Sequence, residues 1–172
     1  GSFLSEADTL EISVLCLMPE PGIKPRAIVQ LVHAMSEHKE RYIPFMEYLT
    51  DKGYITVIHD HRGHGKSVKD GKPGYFSDQD GWKTLVNSAV EIAKMVKEEY
   101  PDLPLIYFGH SMGTIIGRVF LQEHDDLVDG CILCGIPCYQ SACRIGILLA
   151  KTVVKMKGKD SQSKFLENLA TG

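Results

Sequence analysis

Runs of apolar, largely β-branched residues alternate along the chain with stretches whose apolar positions recur at helical spacing. Ile12–Met18 predicts an early strand. The near-continuous apolar run from Ala27 to His33 predicts a strand buried on both faces. A helix over Arg41–Asp51 follows it and stops at Gly53. Tyr54–Asp60 predicts the next strand, and His61–Asp80 reads as a polar, glycine-rich connection. Trp82, Leu85, Val86, Ala89, Ile92, Ala93 and Val96 form a stripe at i, i+3, i+4 spacing, which predicts an amphipathic helix over residues 80–100 ended by Pro101. A strand at Leu105–Phe108, a helix at Ser111–Glu123 and a strand at Leu127–Cys134 complete the series. Strand–helix alternation of this kind predicts an α/β fold, a mostly parallel sheet with helices on both faces. Ligands in such sheets sit beyond the carboxyl ends of the strands. No internal repeat is visible.

The pattern changes after Pro137, so the chain divides into a core over 1–138 and a distinct segment over 139–172. That segment carries a net charge of +4 within a chain whose total is −3. Ala142, Ile145, Leu148, Leu149, Val153 and Met156 predict a helix with a wide apolar face. Two readings stay open. The helix packs on the core or a partner, or it forms a lid over an apolar channel with its basic residues near anionic lipid.

With 172 residues, 44% of them hydrophobic, the chain is long enough for one domain with a real core. The small negative charge gives no reason to expect a nucleic-acid partner. No apolar run approaches the roughly 20 residues that span a bilayer, and no secretory signal opens the chain, so a cytoplasmic location is expected. Five cysteines (Cys16, Cys131, Cys134, Cys138, Cys143) raise the question of a metal site. Cys131 and Cys134 lie on a predicted strand, where residues three apart face opposite ways and do not grip one ion. Buried free thiols in a reducing compartment are expected instead, with no metal and no cofactor.

The chemistry is concentrated at Gly109-His110-Ser111-Met112-Gly113. A bare Gly-x-Ser-x-Gly match arises by chance in about one such chain in ten. Here an apolar strand precedes it and a helix follows, which is the setting of a nucleophile elbow, with small residues where the turn is crowded. Ser111 is the expected nucleophile.

Three motifs together give the chain a resemblance. His33-Ala34-Met35-Ser36-Glu37-His38-Lys-Glu-Arg41-Tyr42 resembles a His-Gly-x-x-Glu-His-x-x-Arg-Tyr segment. Asp60-His61-Arg62-Gly63-His64-Gly65-Lys66-Ser67 resembles an Asp-x-Arg-Gly-His-Gly-x-Ser loop, and the elbow completes the set. In order and spacing these are similar to the N-terminal half of α/β hydrolases of the monoacylglycerol lipase and lysophospholipase type. The resemblance implies the α/β-hydrolase fold and a serine hydrolase acting on carboxylic esters through an acyl-enzyme on Ser111. It places the oxyanion between the backbone N–H of Met112 and that of Met35. Ala34, which stands where the family usually has Gly, and His110 would lie against the substrate, a small acyl ester or lipid. His64 and Arg62 would brace the oxyanion loop. His33, His59, His61, His64 and His110 are otherwise expected to order loops by hydrogen bonding.

In this fold the acid and the histidine follow the serine in chain order. After Ser111 the one histidine is His124, at the far end of the helix that begins there, about 20 Å away. The sequence therefore reads as part of a longer hydrolase, truncated before the last strands of the sheet and inactive alone. It would have an exposed sheet edge and the start of a cap in 139–172. The base would come from the missing half or an associated copy. The alternative is a non-catalytic ligand-binding module, or a fragment whose basic helix docks on a membrane or partner.

Overall fold

The computed structural model describes residues 1–77, 80–138 and 142–158; within the last span the side chains of 142–146 and 157 are not described. Strands β1 (Ser2–Leu4), β2 (Glu11–Leu17), β3 (Ala27–Val32), β4 (Tyr54–His59), β5 (Leu105–His110) and β6 (Gly130–Cys134) form one sheet in the order β1-β2-β4-β3-β5-β6. β4, β3, β5 and β6 run parallel, while β1 and β2 are antiparallel additions at one edge. The sheet is thus the mostly parallel one that the alternation predicts. β1 is an addition to that expectation: three residues carry no periodic signal, and pairing to Glu11–Ser13 alone makes them a strand.

β3 is buried along its whole length, as its apolar run demands. Its alternating side chains feed two cores. On one face Ile28 and Val32 pack with Ile55, Val57, Leu105 and Tyr107 beneath α2 (Gly81–Glu99) and α3 (Met112–His124). On the other, Val29 and Leu31 pack with Ile58 and with Met46 of α1 (Ile43–Asp51). Burying each large apolar side chain contributes about 1.5–3 kcal/mol, and that packing holds the sheet rigid beneath its carboxyl edge.

The stripe on α2 is buried as predicted from Leu85 to Ala93. Trp82 is a correction. It lies on the first turn of the helix and is 53% exposed, with Lys83 over its ring 5.6 Å from the centroid. The strand expected from Leu127 begins at Gly130, since Asp125–Leu127 close a 3₁₀ turn after α3. The cysteines are also corrected. Cys16, Cys131 and Cys134 are free and exposed rather than buried, Cys138 is exposed as well, and the side chain of Cys143 lies outside the described residues. Cys131 and Cys134 sit on β6, the sheet's outer strand, where Ile132 is 51% exposed.

By internal contacts the chain separates into Gly1–Pro137 and Cys138–Gly172. In the second unit α4 (Ala142–Lys157) exposes Ile147, Leu148, Val154 and Met156 alongside Lys151 and Lys155. Among the described residues no helix is long and apolar enough to cross a membrane.

Candidate active site

Ser111 occupies the single residue between β5 and α3, with φ 48° and ψ −110°. A non-glycine residue held in such a region costs on the order of 1–3 kcal/mol and persists only where its surroundings over-determine it. They do so here. The Ser111 N–H donates to the Cys134 carbonyl at the end of β6, 2.9 Å away. The Ser111 carbonyl accepts from the Thr114 N–H at 2.9 Å and from the Thr114 hydroxyl at 2.7 Å. Tyr107, fully buried on β5, donates its hydroxyl to the Gly113 carbonyl at 2.8 Å.

The two elbow glycines are demanded by close approach. A Cβ on Gly109 would meet the Gly113 carbonyl oxygen at 2.6 Å. A Cβ on Gly113 would meet the Val32 carbonyl carbon at 2.8 Å and its oxygen closer still. The first turn of α3 therefore lies directly against the end of β3. Ser111 itself is partly exposed, and among the described residues no side chain hydrogen-bonds its hydroxyl.

The segment after β3 reaches the same place, because Val32 pairs in register with Gly109. Three successive N–H groups follow. That of Ala34 donates to Glu37 Oε1 at 2.6 Å and that of Ser36 to His64 Nε2 at 3.2 Å. Between them, the Met35 N–H has no acceptor among the described residues. The Met112 N–H is the first of α3, one of the donors that a helix leaves unmatched, and it sits at the positive end of the helix dipole. The structure thus brings Ser111, Met112, Ala34 and Met35 to one sheet edge.

His110 joins a polar group that the sequence motif contained but whose arrangement it did not disclose. Tyr42 donates its hydroxyl to Glu37 Oε1 at 2.7 Å, and its oxygen lies 3.0 Å from His110 Nδ1. With the phenolic proton committed to the carboxylate, the Nδ1–H of His110 is the donor to Tyr42, and Nε2 carries the lone pair. Burial works to raise Glu37, but the Tyr42 hydroxyl and the Ala34 N–H outweigh it and hold the carboxyl below its ordinary value. Burial and that same carboxylate push the Tyr42 phenol up.

His33, His59, His61 and His64 are buried beneath this edge. Burial holds His33 down to about 4 and His59 to about 3, and it also drives His61 well below its ordinary value. Asp60 accepts from the Lys39 ammonium at 2.5 Å, the Lys39 N–H at 2.8 Å and the Lys66 N–H at 2.9 Å, which ties the 60–67 loop to the segment after β3. Arg62, fully buried, pairs with Asp8 and donates to the Phe76 carbonyl at 3.2 Å. His124 ends α3 and packs beside Phe120, a full helix length from Ser111. Among the described residues no group of His, Cys, Asp and Glu is arranged to hold a metal ion.

A family model described as serine aminopeptidase, S33, matches residues 23–168. The chain belongs to that family of α/β hydrolases. Within it, the monoacylglycerol lipase of Mycolicibacterium smegmatis is 30% identical over 153 residues, 87% of this chain and 51% of that protein. The mouse (Mus musculus) monoglyceride lipase is 28% identical over 120 residues, 70% of this chain and 38% of its own length. Among solved structures, a thermostable carboxyl esterase from Bacillus coagulans superposes with a TM-score of 0.82 at 32% identity, covering 97% of this chain and 54% of the esterase. The chain thus spans about half the length, or less, of the relatives it matches.

Proposed function

We propose that this chain is the nucleophile-bearing half of a serine hydrolase that cleaves carboxylic esters of the monoacylglycerol or lysophospholipid type. The observation that carries this reading is Ser111, held in a strained elbow at the same sheet edge as the Met112 and Met35 N–H groups, with no side chain on its hydroxyl and no acceptor on the Met35 N–H among the described residues. Ser111 Oγ attacks the ester carbonyl, and its proton passes to a histidine supplied from outside the described residues. The oxyanion forms against the Met112 and Met35 N–H groups, each worth about 3–4 kcal/mol of barrier. The same histidine then protonates the departing alcohol, and water releases the acid from the acyl-enzyme. Ala34 and His110 flank the acyl ester. The monoglyceride lipases and the esterase among the relatives support an ester substrate.

The exposed apolar residues and lysines of α4 support contact with an anionic lipid surface by a cap built on residues 139–172. Free thiols at Cys16, Cys131 and Cys134 fit a reducing, cytoplasmic setting.

The test uses a polypeptide of the relatives' length that contains this chain. It should release fatty acid from a monoacylglycerol, and Ser111→Ala should abolish turnover while leaving the unfolding midpoint within a few degrees. Turnover that survives Ser111→Ala rejects the assignment. Sedimentation with anionic vesicles should fall when Lys151 and Lys155 become Glu, and indifference to those charges rejects the lipid contact.

A further inference from the structure

Three buried imidazoles, His33, His61 and His64, lie under the segment that carries the Met35 N–H, with ring centroids 3.9 Å apart for His33 and His61 and 5.5 Å apart for His33 and His64. A neutral imidazole has one N–H and one lone pair, so each hydrogen bond dictates where its proton sits. The His61 N–H donates to His33 Nε2 at 3.1 Å, which leaves the proton of His33 on Nδ1, 2.7 Å from the Ala34 carbonyl. His61 Nε2 lies 2.9 Å from the His33 carbonyl, an acceptor, so the proton of His61 is on Nε2. His64 Nε2 accepts from the Ser36 N–H at 3.2 Å, and its Nδ1 lies 3.1 Å from the Arg62 carbonyl. The proton of His64 is therefore on Nδ1. The backbone from 33 to 36 is pinned by these rings and by Glu37, and Ser36 is held at φ 60°, a conformation that it adopts only under constraint.

We infer that His64 is a positioning residue for the oxyanion site: its Nε2 lone pair holds the Ser36 N–H and so aims the adjacent Met35 N–H outward, and the Arg62 carbonyl enforces the tautomer that makes this lone pair available. The inference deepens the proposed function and rests on it for its catalytic meaning, but its structural content stands apart from turnover. His64 does not touch the reacting atoms. It acts through one peptide unit, where a misplacement of about 1 Å costs on the order of a hundredfold in rate. Its ring is nearly parallel to that of Phe76 (18°, centroids 6.0 Å apart) and 8% exposed, so the lone pair cannot swing away. Gln places an acceptor oxygen near the Nε2 position; Leu fills the space and accepts nothing.

The test is nitrogen-detected NMR of the imidazoles in the full chain, which needs no variant. His64 and His33 should show a protonated Nδ1 and a bare Nε2, and His61 the reverse. In His64→Leu the Ser36 amide should exchange at least about tenfold faster, as expected for one lost hydrogen bond, and the Met35 amide resonance should shift. His64→Gln should restore both. A His64 proton on Nε2, averaging between tautomers, or a Met35 amide unmoved in His64→Leu overturns the inference. A fluorophosphonate adduct at Ser111 reports separately on the catalytic reading. Where it forms, His64→Leu should slow its formation by roughly ten- to a hundredfold, with probe affinity unchanged and His64→Gln recovering most of the rate. An unaltered rate in His64→Leu overturns the positioning role and leaves the nucleophile standing. Where no adduct forms in any variant of a polypeptide of the relatives' length that contains this chain, the proposed function fails and the tautomers still decide this inference.

Discussion

Replacing Ser111 by Gly should stabilise the chain relative to Ser111→Ala. At φ 48° and ψ −110° any residue with a Cβ is strained, by on the order of 1–3 kcal/mol. Ala keeps the Cβ and so keeps the strain. It loses only a hydroxyl that hydrogen-bonds no side chain among the described residues, so its stability should stay within about 0.5 kcal/mol of the parent. Gly releases the strain but enlarges the conformational freedom of the unfolded chain, which costs about 0.4–1 kcal/mol. The difference leaves Ser111→Gly more stable than Ser111→Ala by about 1 kcal/mol. For a chain of this size that is about 2–4 °C in Tm. Calorimetry or urea titration of the two variants reads this difference directly, and neither variant carries the hydroxyl, so no effect of a bound ligand at Ser111 intrudes. A Ser111→Gly variant no more stable than Ser111→Ala would mean that the elbow relaxes in solution, and the argument that its surroundings hold Ser111 in place would fail.

Further outcomes follow from the same geometry. Gly113→Ala drives a Cβ into the Val32 carbonyl, so α3 must lift off the end of β3; urea unfolding should show a loss of about 1–3 kcal/mol or more, and the Met112 amide should move in NMR spectra. Tyr107→Phe removes the buried hydroxyl that donates to the Gly113 carbonyl, which keeps its helical donor, and should cost about 0.5–1.5 kcal/mol, read from the same titration; a neutral result would mean that this hydroxyl does not brace the elbow. Burial lowers His33 from 6.5 to about 4. Between those values the unfolded chain binds more protons than the folded one, so stability is full above pH 6.5 and lost as pH falls toward 4, by roughly 3 kcal/mol from this ring alone. Urea midpoints measured from pH 7 to pH 4 check this, and a His33→Gln variant should flatten part of the slope.

Most of the fold was legible because its signals are local. The apolar run of β3, the stripe of α2 and the Gly-x-Ser-x-Gly turn each state their own structure, and α2 and β3 are buried where they say. Trp82 and the cysteines were misread because apolar character says that a residue suits a core, not that a neighbour covers it. Trp82 lies on the first turn of its helix and is half-exposed, and the strand carrying Cys131 and Cys134 is the outermost one described. In the site, Ser111 and its flanking glycines were visible as a motif. The Tyr107 hydroxyl on Gly113, the Cys134 carbonyl on the Ser111 N–H and the linked Glu37, Tyr42 and His110 were not, since each joins residues from different elements. The Glu-His-x-x-Arg-Tyr spacing held the one signal for that last group, by placing Glu37 and Tyr42 around a single loop.

The central claim is that Ser111 is an activatable nucleophile whose base comes from outside the described residues. Intact-mass measurement with a fluorophosphonate probe tests it most directly, on the 172-residue chain and on a polypeptide of the relatives' length that contains it. The account predicts one adduct on the longer polypeptide, absent in Ser111→Ala, and little or none on the shorter chain. An adduct that persists in Ser111→Ala, or none on the longer polypeptide, would contradict it.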